Sequence, residues 1–253
     1  VKLLFLMLIV CAPLVSPARV FNITEESFAT YLKLSYGTGL ENTLVSGADS
    51  TSGVDITLDP NHSYMSSGEW GFVYSNKAVG LRLAVELIRP PRWQDRPGQN
   101  TSGTALYTLD VDQSVFIPKA GFEINFTRTS HSRMFMYLGV GSGSLKSAHE
   151  YNFTTDGDTA YNPTTSFFEQ LKGTAPLYEG SFGYEGLLAD ATTYSFDIGY
   201  RYLEFLELKH TRATTGFGGA VAAGDIAKNI DGTDRSLSLS GVYVGLALRW
   251  WLQ

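Results

Sequence analysis

Eight stretches of the chain alternate apolar and polar residues with a period of two, the pattern of β-strands that carry one apolar face. They cover residues 28–40, 68–75, 80–89, 113–128, 133–146, 175–188, 193–208 and 236–252. In the second, Trp70, Phe72 and Tyr74 oppose Glu69, Gly71 and Ser75. In the seventh, Tyr194, Phe196, Ile198, Tyr200 and Tyr202 oppose Ser195, Asp197, Gly199 and Arg201. The connections alternate too. Residues 41–67, 90–112, 147–174 and 209–234 are long, polar and rich in Gly, Ser, Thr, Asn and Asp, whereas 76–79, 129–132 and 189–192 are tight turns. The pattern predicts an all-β fold: a transmembrane antiparallel up-and-down β-barrel of eight strands, with four long external loops and three short periplasmic turns.

Volume decides which face points inward. An eight-stranded barrel has an interior just wide enough to be filled by side chains. The apolar face is bulky, with Trp70, Phe72, Phe122, Phe126, Phe182, Tyr184, Phe196 and Trp250, and would overfill that space. The opposite face is mostly Gly, Ala and Ser with a few long charged residues, so the apolar face is expected outside, against lipid. The expected lumen then holds Lys33, Arg82, Arg201 and Arg249 with Glu69, Glu86, Glu123, Glu179, Glu185 and Asp197. Charges confined in little water pair or cost several kcal/mol, so an ion-pair network that plugs the barrel is expected. Trp70, Tyr74, Tyr178, Tyr194, Trp250 and Trp251 fall near predicted strand ends, where aromatic girdles form at membrane interfaces.

Composition sharpens the picture. Charged residues make up 17% of the chain, below the roughly 25% of an average soluble domain. The net charge of −6 leaves no basic stripe for nucleic acid. At the N-terminus, Lys2 precedes the apolar run 3–15, and Ser16-Pro17-Ala18 supplies small residues for cleavage. That run is shorter than the roughly 20 residues a spanning helix needs, so residues 1–18 read as a signal peptide and 19–253 as the barrel. Cleavage there removes Cys11, the single cysteine, and no disulfide is needed after export through the periplasm.

Four stretches resemble the eight-stranded outer-membrane barrels of Gram-negative bacteria, especially the opacity-protein-like and OmpA/OmpX-like families. They are Gly80-Leu-Arg-Leu-Ala-Val-Glu86, Met136-Tyr-Leu-Gly-Val-Gly141, Phe196-Asp-Ile-Gly-Tyr-Arg-Tyr202 and Gly241-Val-Tyr-Val-Gly-Leu-Ala-Leu-Arg-Trp250. The resemblance implies a bacterial outer-membrane location among lipid and lipopolysaccharide. It also implies a last strand read by the barrel-assembly machinery, with Leu248, Trp250 and Leu252 matching the signal's alternation and Gln253 departing from its usual aromatic end.

Candidate chemistry is sparse. His62, His131, His149 and His210 are expected in loops or turns, and none has a nucleophile and orienting group in a recognisable array. Asp156-Gly-Asp158 and Asp231-Gly-Thr-Asp234 lack the ligand count of a calcium loop. The sequons at Asn22, Asn100, Asn125 and Asn152 read as chance matches, with Asn125 expected in the lumen. Neither a cofactor nor a metal is implied. The favoured role is a structural surface protein whose loops contact host or cell-surface ligands. A narrow pore for small solutes is the alternative, and a lipid-modifying enzyme or protease ranks below both.

Overall fold

The computed structural model describes residues 22–23, 25, 27–39, 48–49, 54–55, 64–76, 78–100, 102–160, 166–217, 219–229 and 232–252. The proposed signal peptide, Cys11, His62 and Gln253 lie outside these residues. Eight long strands carry the fold: β1 (Phe28–Gly39), β2 (Met65–Asn76), β3 (Val79–Arg89), β4 (Ala105–Arg128), β5 (Ser132–Phe153), β6 (Phe167–Ala189), β7 (Thr192–Phe205) and β8 (Gly241–Trp251). Each pairs antiparallel with the next, and β8 returns to β1 through eleven paired positions from Ala29↔Trp251 to Gly39↔Gly241. The ring is closed, so every strand's backbone groups find partners without a free edge.

Side chains divide as the alternation demands. Leu34, Phe122, Phe126, Phe182, Phe196 and Leu246 are all more than half or about half exposed on the outer wall. The charged residues between them are buried in the lumen. A protein with this arrangement loses its apolar belt to water unless lipid covers it, so the barrel spans a membrane.

Three strands run well past the belt. β4, β5 and β6 have 24, 22 and 23 residues, so residues expected in the loops 90–112 and 147–174 are largely strand. A short strand, Trp93–Gln99, pairs with β4, and another, Lys209–His210, pairs with β6. Along these extensions the polarity of the two faces inverts. Low on β4, Phe122 and Phe126 point out while Glu123 points in. Higher up, Asp110 and Asp112 point out while Tyr107, Leu109 and Val111 are buried. The inversion marks where the outer wall passes from lipid to water. There the barrel becomes an ordinary core: Leu145, Tyr151, Leu171, Leu203 and Phe205 pack with Leu208, Ala227, Leu237 and Leu239. Leu208, Leu237 and Leu239 are expected in the strand runs 193–208 and 236–252 and Ala227 in the polar loop 209–234; all four instead come from the β7–β8 connection, residues 206–240. It folds inward as a lid because it supplies apolar side chains to the open end. At the opposite end, Ile23, Ala29 and Trp251 cluster beneath the lumen, and Arg128 Nη2 donates to the Ile23 carbonyl at 2.9 Å.

Candidate functional site in the barrel lumen

Period-two alternation aims one residue in two at the axis, and glycines make the room for long charged side chains to meet. Lys33 Nζ lies 2.6 Å from Asp197 Oδ2, reaching from β1 to β7 across the intervening β8. It passes over Gly245, where an added Cβ would collide with Lys33 Cε and lie 2.6 Å from Asp197 Oδ1.

The remaining charges form two linked layers. In the layer nearer the loops, Lys119 Nζ contacts Glu69, Glu86 and Glu179 at 2.8, 2.8 and 2.7 Å, and Arg201 reaches Glu86 at 2.5 Å. In the layer nearer the turns, Glu123 is shared by Arg82, Arg133 and Arg249, with Arg133 at 2.9 Å and Arg249 at 2.6 Å. Glu185 joins Arg133 at 2.6 Å and Arg249 at 2.9 Å. Arg82 stands 4.0 Å from Glu69 and links the layers. Among the described residues the network contains six cations and six carboxylates: Lys33, Arg82, Lys119, Arg133, Arg201 and Arg249 with Glu69, Glu86, Glu123, Glu179, Glu185 and Asp197. Its charge sums to zero, and all twelve side chains are buried. The Arg82 guanidinium also lies 4.3 Å from the Tyr137 ring centroid, adding a cation–π contact.

The ten charges assigned to the lumen from sequence all reach it. Two partners were missed. Lys119 follows Pro118 in the region where the polarity inverts, and Arg133 is the second residue of β5, at the very start of the expected strand run 133–146. Both share the odd-numbered face with Gly121, Glu123 and Phe135, which is the signal that places them inside. Asn125 also faces inward, accepting from Arg133 at 3.2 Å.

The aromatics divide. Tyr74, Tyr194 and Trp250 lie near the turn ends of their strands, and Tyr178 pairs with Tyr202 further up. Trp70 is mid-strand in β2 rather than at an end. Trp251 is a correction: it is buried, not at an interface. Trp250 points out, so the pleat turns its neighbour inward, where Trp251 Nε1 donates to Thr193 Oγ1 at 3.1 Å and Glu185 Oε1 at 3.3 Å. Leu248, Trp250 and Leu252 present one outward row at the end of β8.

A second polar cluster lies under the lid. His149, expected in a loop, is a fully buried residue of β5. Arg235, from the lid, contacts Glu169 at 2.6 Å and donates to His149 Nδ1 at 3.3 Å. A guanidinium can only donate, so His149 Nδ1 is an acceptor and Nε2 carries the proton. That proton is given to Ser147 Oγ, 2.7 Å away, so the imidazole cannot act as a base toward this serine. Burial pushes the His210 imidazole below its ordinary value, and Glu169 opposes that shift. His131 stays exposed in its turn, 2.6 Å from Ser130 Oγ. Asp156 and Asp158 sit on the short helix α1 (Thr155–Ala160).

No protein-family model and no curated protein sequence matches the chain. Solved structures do. The outer membrane protein OprG from Pseudomonas aeruginosa is 11% identical, with 92% of this chain and 100% of that chain covered at a TM-score of 0.47. The attachment invasion locus protein Ail of Yersinia pestis, solved with the heparin analogue sucrose octasulfate, is 12% identical over 88% and 99% at 0.39. The outer membrane protease OmpT from Escherichia coli is 10% identical over 93% and 100% at 0.30. At these scores the assignment rests on the chain's own ring closure, outward apolar belt and paired polar interior, and by these the protein has the fold of an eight-stranded outer-membrane β-barrel.

Proposed function

We propose that the protein is a closed, non-conducting barrel that anchors a surface-exposed loop assembly, and that it performs no chemistry itself. The observation that carries this reading is the lumen: twelve paired charges occupy its membrane-level section, and the lid and its apolar core lie above them. Solutes would have to displace both. A rigid scaffold of this kind suits recognition by loops, and here the extended β4, β5 and β6 raise the loops away from the membrane. Lipopolysaccharide, host surfaces or neighbouring cells are the partners such loops would meet. The outward row Leu248, Trp250 and Leu252 suits reading by the assembly machinery during insertion. Against an enzymatic role stands the Ser147–His149 pair, which is buried and holds its proton on the wrong nitrogen for activating the serine.

Planar-bilayer recordings of the purified barrel test the closed state, with silence expected and stable unitary steps overturning it. Replacing residues 90–104 and 154–166 with short turns tests the loop reading. The variant should keep its heat-modifiable electrophoretic mobility and lose binding to cells and to labelled lipopolysaccharide; retained binding would refute it.

A further inference from the structure

On the outer wall, the β5–β6 ladder carries a graded series of facing pairs. From the lipid upward these are Val140↔Tyr178, Ser142↔Pro176, Ser144↔Thr174 and Lys146↔Lys172. The row continues, since Lys172 also faces Lys209 on the short strand Lys209–His210. Three lysines thus stand side by side on adjacent strands, all exposed. Like charges directly opposite each other destabilise a sheet. Lys209 has a carboxylate, Glu207, at 3.5 Å. Among the described residues, Lys146 and Lys172 have no carboxylate within ion-pair distance, and the acidic residues Asp112 and Glu150 on the same outer face do not reach them. Nor do these lysines guard a free edge, because β5 and β6 are paired on both sides here.

Directly below the row is a groove of about 700 Å³ in the wall, lined by Trp70, Val85, Pro118, Val140, Ser142 and Pro176 among others. It exists because short or ring-closed side chains fill the middle of β4, β5 and β6 while Trp70 and Tyr178 wall the sides. Pro118 has no N–H, and pairing between β4 and β5 stops at Phe116↔Ser144 and resumes at Lys119↔Gly141. Lys146 lies four residues beyond Ser142, about 13 Å along the strand at 3.3 Å per residue, and its flexible stem can lean part of that way back.

We propose that this face binds one anionic lipid of the outer leaflet, with its headgroup phosphate on the Lys146–Lys172–Lys209 row and an acyl chain in the groove. The charge of the row selects an anionic headgroup. The groove's position below it, on a wall already covered by lipid, selects a lipid rather than a soluble phosphate.

Trp70 makes the groove observable. The protein is reconstituted in phosphatidylcholine vesicles doped with equal small fractions of brominated phosphatidylglycerol or brominated phosphatidylcholine. The Trp70 signal is the fluorescence lost in Trp70→Phe. Brominated phosphatidylglycerol is expected to quench it about threefold more strongly than its zwitterionic counterpart. Lys146→Gln/Lys172→Gln should remove that excess with heat-modifiable mobility intact, while Lys146→Arg/Lys172→Arg should retain it. Equal quenching by the two lipids, or an excess that survives the glutamine pair, overturns the proposal.

Discussion

Lys119→Met is the sharpest probe of the lumen. The ammonium group contacts three carboxylates at 2.7–2.8 Å, and it donates hydrogen bonds to two of them, Glu86 and Glu179. Removing it takes the network from neutral to one net negative charge. Glu69 is left with the Tyr31 hydroxyl and an arginine 4.0 Å away, and Glu179 with an arginine at 3.8 Å. Stranding a buried charge in this way costs about 3–5 kcal/mol, roughly two to three and a half powers of ten in the folding constant at about 1.4 kcal/mol per tenfold. Removing a carboxylate as well restores the balance. Lys119→Met/Glu69→Gln should therefore recover at least half of the loss, because Glu86 and Glu179 keep Arg201. The assay is urea unfolding in phospholipid vesicles, followed by tryptophan fluorescence and electrophoretic mobility. A single-variant loss below about 1 kcal/mol, the scale of an exposed ion pair, would mean that the lumen is hydrated and the plug argument is wrong.

Other perturbations separate the layers. Gly245→Val, whose Cβ would collide with the Lys33–Asp197 pair, should cost about 1–3 kcal/mol in the same unfolding assay. Gly68→Ala, whose nearest neighbour is Leu34 Cδ2 at 4.0 Å, should change stability by less than about 0.5 kcal/mol. Arg235→Met strands Glu169 beneath the lid, so residues 206–240 should become sensitive to protease while the barrel stays closed to ions in bilayer recordings. The lid should also loosen in acid. The folded lid holds His210 below its ordinary value, so the unfolded lid binds the proton more readily. Stability from this group is complete above about pH 6.5 and is lost as pH falls through and below that value. The protection of residues 206–240 against hydrogen exchange, taken relative to an unstructured chain at the same pH, should fall between neutral and mildly acidic pH, with the fall reduced in His210→Gln. An equal fall in that variant would refute the assignment to His210.

The sequence shows the lower barrel clearly because lipid and lumen impose opposite demands on successive residues. Phe122-Glu123-Ile124 states the rule directly. The upper barrel obeys a different rule, with water outside and an apolar core inside, and the two meet at Val115-Phe116-Ile117. There three successive apolar residues break the alternation, although the backbone continues as strand. Read by hydrophobicity, β4 begins at residue 113; followed by parity, its inward face extends back through Val111, Leu109 and Tyr107. The same inversion hides Ser147, His149 and Tyr151 on β5. Lys119 lies just below the crossing, which is why a central cation of the network was overlooked while Glu123, four residues away, was found. Arg235 had no such signal. It lies in a connection without strand periodicity, and only the packing of Leu237 and Leu239 brings it inward.

Cross-lumen pairs also bear on strand register. Lipid is nearly uniform to a sliding apolar face, so moving β8 by two residues against β1 exchanges one leucine or valine for another at little cost. The same slip moves Gly245, and with it the opening through which Lys33 meets Asp197, by about 6.6 Å. Polar interior contacts therefore select among registers that the outer belt cannot distinguish, a role in which a buried pair matters for specificity more than for stability. Lys33→Met/Asp197→Leu removes both charges together and should leave the unfolding free energy unchanged or raise it by about 1–4 kcal/mol. Register is read by disulfide trapping between cysteines at 34 and 246, the native partners, and between 34 and 244, offset by two. In the otherwise unchanged protein only the first pair should form efficiently. In the uncharged variant the offset crosslink should rise; trapping that stays confined to the native pair would show that backbone pairing and turns fix the register unaided.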